Sequence, residues 1–232
     1  MRKQKKQLGI FAIVTYLMMI GVGYASDVYI TQSGASFTAN INQDGQTNRY
    51  GVSGTVATHT GDNHTLDIDQ IGSTNTIAAS VVGATQELTL RQAGNSNTST
   101  VTVGSNSAAA SNSIIQTLTG NSNTTTVNVG TSAASGTADI DLVATGNSNT
   151  VTINENSTAS LSGSDKKVTS ITLIGASNTV TSTHAGAADQ DTTLHHTGAS
   201  STFVFTQDGA HDGTVSMTTV GSGHNVTVIM DD

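Results

Sequence analysis

The sequence predicts an all-β fold, namely a β-solenoid of about eight strand-turn-strand rungs. The first observation is the unit Gly-Asn-Ser-Asn-Thr, which occurs identically at residues 94–98, 120–124 and 146–150. Looser copies begin at Gly45, Gly72 and Gly175, so the unit recurs every 22 to 29 residues. The second observation is that runs of alternating polar and apolar residues flank each copy. Gly and Asn tolerate positive φ, so each copy indicates a turn between two strands. Their recurrence at this spacing indicates stacked repeats rather than a single-core domain.

The first 25 residues are expected to be a cleaved signal peptide rather than part of the fold. A basic segment at residues 2–6 precedes an apolar run at residues 8–22, and residues 23–25 supply the small side chains of a cleavage site. A transmembrane anchor is the alternative, but Thr15 interrupts the apolar run and no stop-transfer pattern follows. We therefore expect export, no membrane insertion after cleavage, and one repeat domain over residues 26–232.

The expected mature part is strongly acidic. The chain has 8 basic and 16 acidic residues, and four of the bases lie in the signal segment, which leaves a net charge of −12. The remaining bases are too few for a basic patch, so we expect no binding to nucleic acid or to anionic lipid. The chain has no Cys and no Pro. The absence of Pro suits a backbone that donates to a ladder at nearly every position.

Counting outward from each repeat glycine predicts which side chains face the interior, because alternate residues of a strand share a face. Apolar residues occur at these positions together with Gln and Asn. A buried amide without a partner would cost about 1–3 kcal/mol, whereas stacked amides can bond to each other from rung to rung. We therefore predict an interior amide ladder that directs in-register assembly and consists of Gln32, Gln43, Gln70, Gln92, Gln207, Asn48, Asn75, Asn97, Asn123, Asn149 and Asn178. The turns are predicted at Gly34, Gly45, Gly72, Gly94, Gly120, Gly146, Gly175 and Gly198.

The motif Ser26-x5-Gln32-x-Gly34-x2-Phe37-x-Ala39-x3-Gln43 resembles the curlin repeat, from which it departs at Phe37. The central part of that repeat, Gln-x-Gly-x2-Asn, recurs from Gln43, Gln70 and Gln92, and the strict motif decays after Asn97. Curlins are secreted subunits of extracellular amyloid fibres in biofilms. The resemblance therefore implies a fibre subunit outside the cell or at its surface, whose main partner is a second copy of itself. It also implies a nucleator subunit and an outer-membrane export pore as partners.

The repeats differ in length, and the surplus residues follow the second strand of each rung. Residues 105–112, 131–137 and 154–167 are predicted as Ser-, Ala- and Gly-rich insertions, which lengthen a loop at little entropic cost. Residues 49–56 resemble a strand without an obvious partner, so the register between residues 43 and 65 stays open. Eight rungs at about 4.8 Å each would form a stack roughly 38 Å long.

The outward face of the second strands carries a regular array of Thr. Thr has a high β-propensity and suits a solvated strand face, which is the interpretation we favour. The alternative is a flat array that orders water, since the face resembles that of ice-binding β-solenoids. An ice-binding or surface-binding module is therefore the second candidate function, and the stalk of a larger adhesin is a third. The array consists of Thr98, Thr100, Thr102, Thr124, Thr126, Thr150, Thr152, Thr179 and Thr181.

The sequence contains no pattern that predicts catalysis or a metal site. The chain has 7 His, but His195 and His196 point to opposite faces of one strand and cannot chelate together. His184 and His224 fall at predicted interior positions. Neither a Gly-x-Ser-x-Gly turn nor a tandem calcium-binding nonapeptide occurs. We expect neither an enzyme nor a bound cofactor or metal.

Both ends of the stack are predicted to be open. Residues 26–43 form the most curlin-like repeat, and Val226, Val228 and Met230 continue the inward alternation near the last residue. Solenoids otherwise hide their terminal edges under atypical caps. Two complementary open edges make a head-to-tail contact that builds a filament. We expect residues 26–43 of one copy to stack on residues 226–230 of the next.

Overall fold

The computed structural model contains only β-strands and connecting segments, without a helix, over the residues it describes. These are residues 13–20, 26–34, 36–45, 47–51, 56–72, 74–94, 96–104, 111–120, 122–130, 137–161, 167–208 and 213–231. The strands in chain order are β1 (Ile13–Ile20), β2 (Ser26–Val28), β3 (Thr31–Ser33), β4 (Phe37–Asp44), β5 (Thr47–Tyr50), β6 (Ala57–Thr60), β7 (His64–Ile71), β8 (Thr74–Val82), β9 (Thr85–Ala93), β10 (Ser96–Gly104), β11 (Ser111–Thr119), β12 (Thr124–Val129), β13 (Thr137–Thr145), β14 (Thr150–Leu161), β15 (Lys167–Ile174), β16 (Thr179–Ala188), β17 (Gln190–Thr197), β18 (Thr202–Asp208), β19 (Gly213–Val220) and β20 (Asn225–Asp231).

The strands form two parallel sheets with the core between them. Sheet A has the spatial order β1-β4-β7-β9-β11-β13-β15-β17-β19, and sheet B has the order β2-β5-β8-β10-β12-β14-β16-β18-β20. In sheet B, β3 pairs with β6, and β6 pairs with β8, so the rungs of β2 and β5 each contain two short strands. Each rung thus contributes one strand to sheet A and the next stretch of chain to sheet B. From β4 onward sheet A defines eight rungs, which confirms the predicted β-solenoid of about eight rungs.

The core follows from the period-2 alternation of the strands, because alternate side chains point to opposite faces of a sheet. In β13, for example, Ala138, Ile140, Leu142 and Ala144 are buried while Asp139 and Asp141 are exposed. Register pairing then aligns equivalent positions into columns through the stack. One such column in sheet A contains Ile41, Ile68, Leu90, Gln116, Leu142, Ile171 and Leu194, and all of these side chains are buried.

The turn from sheet A to sheet B explains the recurrence of glycine. The N–H of each turn glycine donates to a carbonyl of the next rung, as from Gly94 to Thr119 at 2.8 Å. Successive turns lie so close that a Cβ on Gly72 would stand 1.5 Å from the carbonyl oxygen of Gly45. Only glycine fits there. This turn contains seven of the eight predicted turn glycines, namely Gly45, Gly72, Gly94, Gly120, Gly146, Gly175 and Gly198.

Serine takes the left-handed conformation in four of these turns. The third residue of the unit has φ near +60° at Ser122, Ser148 and Ser177, and Ser200 has φ 55°. The following residue returns to the strand and points inward. The sequence predicts a turn from the tolerance of Gly and Asn for positive φ, and the structure adds Ser to the residues that adopt it here.

The structure separates Gln32 and Gly34 from the other predicted ladder and turn residues. Gly34 N donates to Thr60 O, and Gly61 N donates to Val82 O, so Gly34 lies in the turn that returns from sheet B to sheet A. Gln32 is the register partner of His59 in sheet B and is partly exposed. The Gln-x-Gly spacing is the same at both turns, so spacing alone cannot tell one turn from the other.

Two further expectations are corrected by the strand boundaries. Thr47–Tyr50 forms β5, which pairs with both β2 and β8, so Arg49 and Tyr50 of the predicted strand at residues 49–56 do have partners. Residues 52–55 lie outside the described residues. β14 extends through Leu161, so most of the predicted insertion at 154–167 is strand, because it pairs with β16. Residues 105–110 and 131–136, and the rest of the third insertion at residues 162–166, lie outside the described residues.

Part of the expected signal segment is a strand in this structure. Ile13–Ile20 forms β1, which pairs in parallel with β4 at one end of sheet A. Residues 1–12 and 21–25 lie outside the described residues. Cleavage after Ala25 therefore stays a prediction from sequence. Removal of β1 by this cleavage would expose the edge of β4.

Candidate functional site

The predicted Asn residues form one continuous buried column in sheet B. Nδ2 of Asn75 donates to Oδ1 of Asn97 at 3.2 Å, and Asn97 donates in the same way to Asn123 at 3.0 Å. Asn123 donates to Asn149 at 2.8 Å, and the backbone N–H of Asn149 donates to Oδ1 of Asn178 at 2.9 Å. The column also contains Asn48 beside Asn75. Each of these side chains is at most 1% exposed, so the ladder pairs amides that would otherwise be costly to bury. Oδ1 of Asn48 and Oδ1 of Asn75, at the N-terminal end of the column, have no hydrogen-bond partner among the described residues.

The Asn side chains also bind the turns that precede them. Nδ2 of Asn123 donates to Gly120 O at 3.0 Å, and that of Asn178 donates to Gly175 O at 2.7 Å. The side chain three residues after the glycine thus closes the turn and joins the ladder at once. This double role explains why the Gly-x-x-Asn spacing recurs more faithfully than the rest of the unit.

The Gln ladder is shorter than predicted. Nε2 of Gln70 donates to Oε1 of Gln43 at 2.6 Å, and that of Gln92 donates to Gln70 at 2.9 Å. The same column continues with Leu118, which packs in the hydrophobic core, so the ladder ends after three rungs. Gln207 lies in a different column, in sheet B, where it is the register partner of His184.

A buried polar cluster links rungs towards the C-terminal end of the solenoid, and His184 is its one residue that the sequence analysis names as interior. His184 Nδ1 lies 2.5 Å from Oε2 of Glu155, and its Nε2 lies 2.8 Å from Ser182 Oγ. The Nε2 atom is also 3.0 Å from Thr192 Oγ1. The arrangement resembles a nucleophile, base and orienting acid. Ser182 has no exposed surface, however, so a dissolved substrate has no approach to its hydroxyl.

Lys167 adds a buried amine to the same region. Its Nζ and Oε1 of Glu155 have no hydrogen-bond partner among the described residues. Burial lowers the pKa of Lys167, and the charge of Glu155 opposes that shift. A signal for this cluster exists in the sequence, since Glu155, Ser182 and His184 all fall at inward positions of their strands. Among the described residues, no group of three or more His, Cys, Asp or Glu is placed to hold a metal ion.

The N-terminal rungs contain a second buried cluster, which is aromatic. Tyr50 OH lies 2.6 Å from His59 Nε2, and the rings of Phe37 and His59 stack with centroids 4.7 Å apart. Burial lowers the pKa of His59 to about 4, and His64 lowers it as well. Burial raises the pKa of Tyr50. The cluster therefore favours neutral imidazole, and its stability depends on pH.

The predicted Thr array lies on the outer face of sheet B. Register pairing places Thr98, Thr124, Thr150 and Thr179 in one row across four strands. A second row contains Thr100, Thr126, Thr152 and Thr181, while the third row has Asn at two of its four positions. Neighbouring hydroxyls are thus spaced by about 4.8 Å between strands and about 6.6 Å along a strand.

The outer face of sheet A has the opposite character. Its outward positions carry the basic residue Arg91 and several acidic residues, which include Asp67, Asp69, Glu87, Asp139 and Asp141. One broad face of the solenoid is therefore acidic, and the other is largely neutral and rich in Thr. Like-charged faces repel each other at short range, which disfavours association of copies through sheet A.

The last described rung has an open interior surface. Val226, Val228 and Met230 are 41%, 46% and 54% exposed. Their register partners one rung earlier are Phe203, Phe205 and Gln207, whose side chains are buried. These positions continue the core columns, but no further strand covers them among the described residues. Beside them, the rings of His196 and His224 meet edge-on with centroids 5.0 Å apart.

Comparison with known proteins identifies no relative of this chain. No protein-family model, no curated protein and no solved structure matches it. Over the described residues, no helix is long and apolar enough to cross a bilayer. The features of the chain that bear on function are therefore the stack itself, its ladders and its ends.

Proposed function

We propose that this protein is a secreted structural subunit that stacks end to end with copies of itself into an extracellular, curli-type fibre. One observation carries the proposal: the last rung exposes the apolar residues Val226, Val228 and Met230, whose register partners one rung earlier are buried. Exposed apolar surface beside an unpaired strand edge is a template for another chain. The curlin-like sequence of residues 26–43 supports the same function.

The ladders support in-register growth of such a fibre. Stacked amides gain bonds from each added rung only when identical columns continue. At the junction, His224 falls in the Asn column, one rung beyond Ser201. The next copy would supply an Asn or Ser in that column. The acidic outer face of sheet A favours growth along the stack over lateral bundling. Nucleator and export-pore partners belong to the same proposal and come from the curlin resemblance alone.

A proline at the open edge tests end-to-end growth. Asn225 N donates back to Ser201 O, so by alternation the N–H of Val228 points away from β18, towards the open side. Val228→Pro removes that donor without breaking a bond to β18. We expect elongation on preformed seeds, followed by thioflavin fluorescence, to fall at least tenfold. The control Val228→Ile keeps the N–H and the apolar side chain and should elongate close to the wild-type rate. Equal rates for the two variants would reject growth through β20.

A second candidate function is ice or surface binding, which the two regular Thr rows of sheet B favour. Replacing Thr100, Thr126, Thr152 and Thr181 by Lys disrupts the second row without touching the interior. If the Thr face binds ice, the native protein should inhibit ice recrystallisation and the Lys variant should not. A native protein without such activity eliminates this candidate.

A further inference from the structure

The N-terminal end of the solenoid contains a strand acceptor. β1 pairs with β4 in parallel along all eight of its residues, from Ile13 opposite Phe37 to Ile20 opposite Asp44. The same orientation holds along the rest of sheet A. The outer edge of β4 therefore accepts a strand in the register that continues the sheet.

The sequence of β1 is ill suited to permanent occupation of that edge. It reads IVTYLMMI, with apolar residues at both alternate sets of positions. In contrast, β4 reads FTANINQD and alternates buried with exposed side chains. A strand that is apolar on both faces does not suit a sheet with one face in water. The same residues form the apolar part of the expected signal peptide, whose removal would leave β4 without a neighbour.

Removal of β1 would also leave the two sheets unequal. Sheet A would then have eight strands from β4 to β19, whereas sheet B would have nine levels from β2 to β20. If β20 of one copy stacked on β2 and β3 of the next, β19 and β4 would face each other across the width of a missing strand. Such a gap would leave the N–H and C=O groups of both edges unpaired.

We propose that a second copy docks with its β19 on β4 and its β20 on β5 and β6, and that residues 26–33 leave sheet B as it docks. This inference rests on the proposed end-to-end assembly and names its contact. After the exchange each copy contributes eight levels to each sheet, so both sheets continue through the junction without a gap.

The exchange replaces a short pairing with a longer one. β2 pairs with β5 at three positions and β3 pairs with β6 at three, and Tyr29 between them is 46% exposed. Two further backbone bonds hold the segment, from Gly51 N to Val28 O at 2.9 Å and from Thr58 N to Ile30 O at 3.1 Å. In return β19 and β4 each offer eight residues, and β20 offers seven.

The side chains of β19 suit the interior surface of β4. Val215 and Met217 already pack against the end of the core and are only partly buried. The columns of sheet A place them over Ala39 and Ile41 of the next copy. Docking would therefore bury apolar surface on both sides of the junction.

A disulfide across β3 and β6 tests whether residues 26–33 must leave. Thr31 and Thr58 are register partners on the outer face, and neighbouring strands bring Cα atoms within the range of a disulfide. The chain has no Cys of its own. The variant Thr31→Cys/Thr58→Cys is prepared as the full chain with a protease site inserted between residues 25 and 26, and β1 is then released by cleavage. The control, Thr98→Cys/Thr124→Cys, joins two partners inside the stack.

The proposal predicts that the oxidised Thr31→Cys/Thr58→Cys protein elongates on preformed seeds at least tenfold more slowly than the same protein after reduction. The control should elongate equally in both states. If the oxidised variant elongates as fast as the control, residues 26–33 stay in place, and the exchange is overturned while end-to-end assembly survives. If neither variant elongates when reduced, end-to-end assembly itself fails and the exchange fails with it.

Discussion

Replacing Asn123 by Asp removes the side-chain donor at the middle of the Asn ladder. Nδ2 of Asn123 donates to Asn149 Oδ1 at 2.8 Å and lies 3.0 Å from Gly120 O and 3.3 Å from Thr145 O. A carboxylate at this position would face three oxygen acceptors with no proton to offer. The side chain is 1% exposed, so water cannot replace the lost bonds.

The expected loss follows from these contacts. Leaving a buried acceptor unpaired costs about 1–3 kcal/mol, and holding a carboxyl in its neutral form at pH 7 costs about 1.4 kcal/mol for each unit that its pKa is raised. We therefore expect Asn123→Asp to lower the free energy of unfolding by roughly 2–4 kcal/mol at pH 7. The loss should shrink at pH 4, because a neutral carboxyl can donate one bond.

Urea unfolding followed by circular dichroism measures this loss. The control Thr124→Ser changes the neighbouring outward side chain and should shift stability by less than about 0.5 kcal/mol. An Asn123→Asp protein with the wild-type urea midpoint at pH 7 would refute the reasoning, because it would mean that the ladder contributes nothing to the fold.

Three other predictions concern single positions. Burial lowers the pKa of His59 to about 4, so the folded state binds fewer protons than the unfolded state between pH 6.5 and pH 4. The free energy of unfolding should therefore fall by up to about 3 kcal/mol as the pH drops from 6.5 towards 4. Thermal unfolding of His59→Gln should show a weaker pH dependence, whereas His195→Gln, at an exposed site, should keep the wild-type dependence. Ser148 has φ 60°, a conformation that Asn adopts more readily, so Ser148→Asn should raise the free energy of unfolding by about 0.5–1 kcal/mol, and Ser96→Asn, at a site in the strand β10, serves as the control. Gly198→Ala would bring a Cβ within 1.8 Å of the carbonyl oxygen one rung earlier and should cost at least about 2 kcal/mol in urea unfolding; an unchanged midpoint would disprove the close turn stacking.

The repeat unit carries most of what the sequence reveals about the fold. Asn97, Asn123 and Asn149 follow their glycines at one fixed spacing, and alternation then assigns inward and outward faces on both sides. The structure places these three residues in one hydrogen-bonded column. The faces can be assigned in this way because the register of a strand is strictly specified: a shift by one residue would move every buried side chain to the solvent face.

Other features depend on contacts between rungs that the unit does not encode. Glu155 and His184 are 29 residues apart and meet only because β14 and β16 are neighbours. The Ser- and Thr-rich composition of residues 154–161 concealed the end of β14. Gln32 and Gln43 both precede a glycine by two residues, which predicts a place in the interior ladder for both, yet they lie beside opposite turns. Spacing along the chain identifies a turn. Only the pairing of the strands shows whether that turn leads from sheet A to sheet B or back.

Fibre diffraction from aligned fibres tests the central claim most directly. End-to-end stacking places every strand perpendicular to the fibre axis, so the account predicts a reflection near 4.8 Å along that axis. The protein released by cleavage after Ala25 should produce this pattern and seed its own growth. A 4.8 Å reflection perpendicular to the axis would contradict the account, because it would mean that copies associate through their faces rather than their ends.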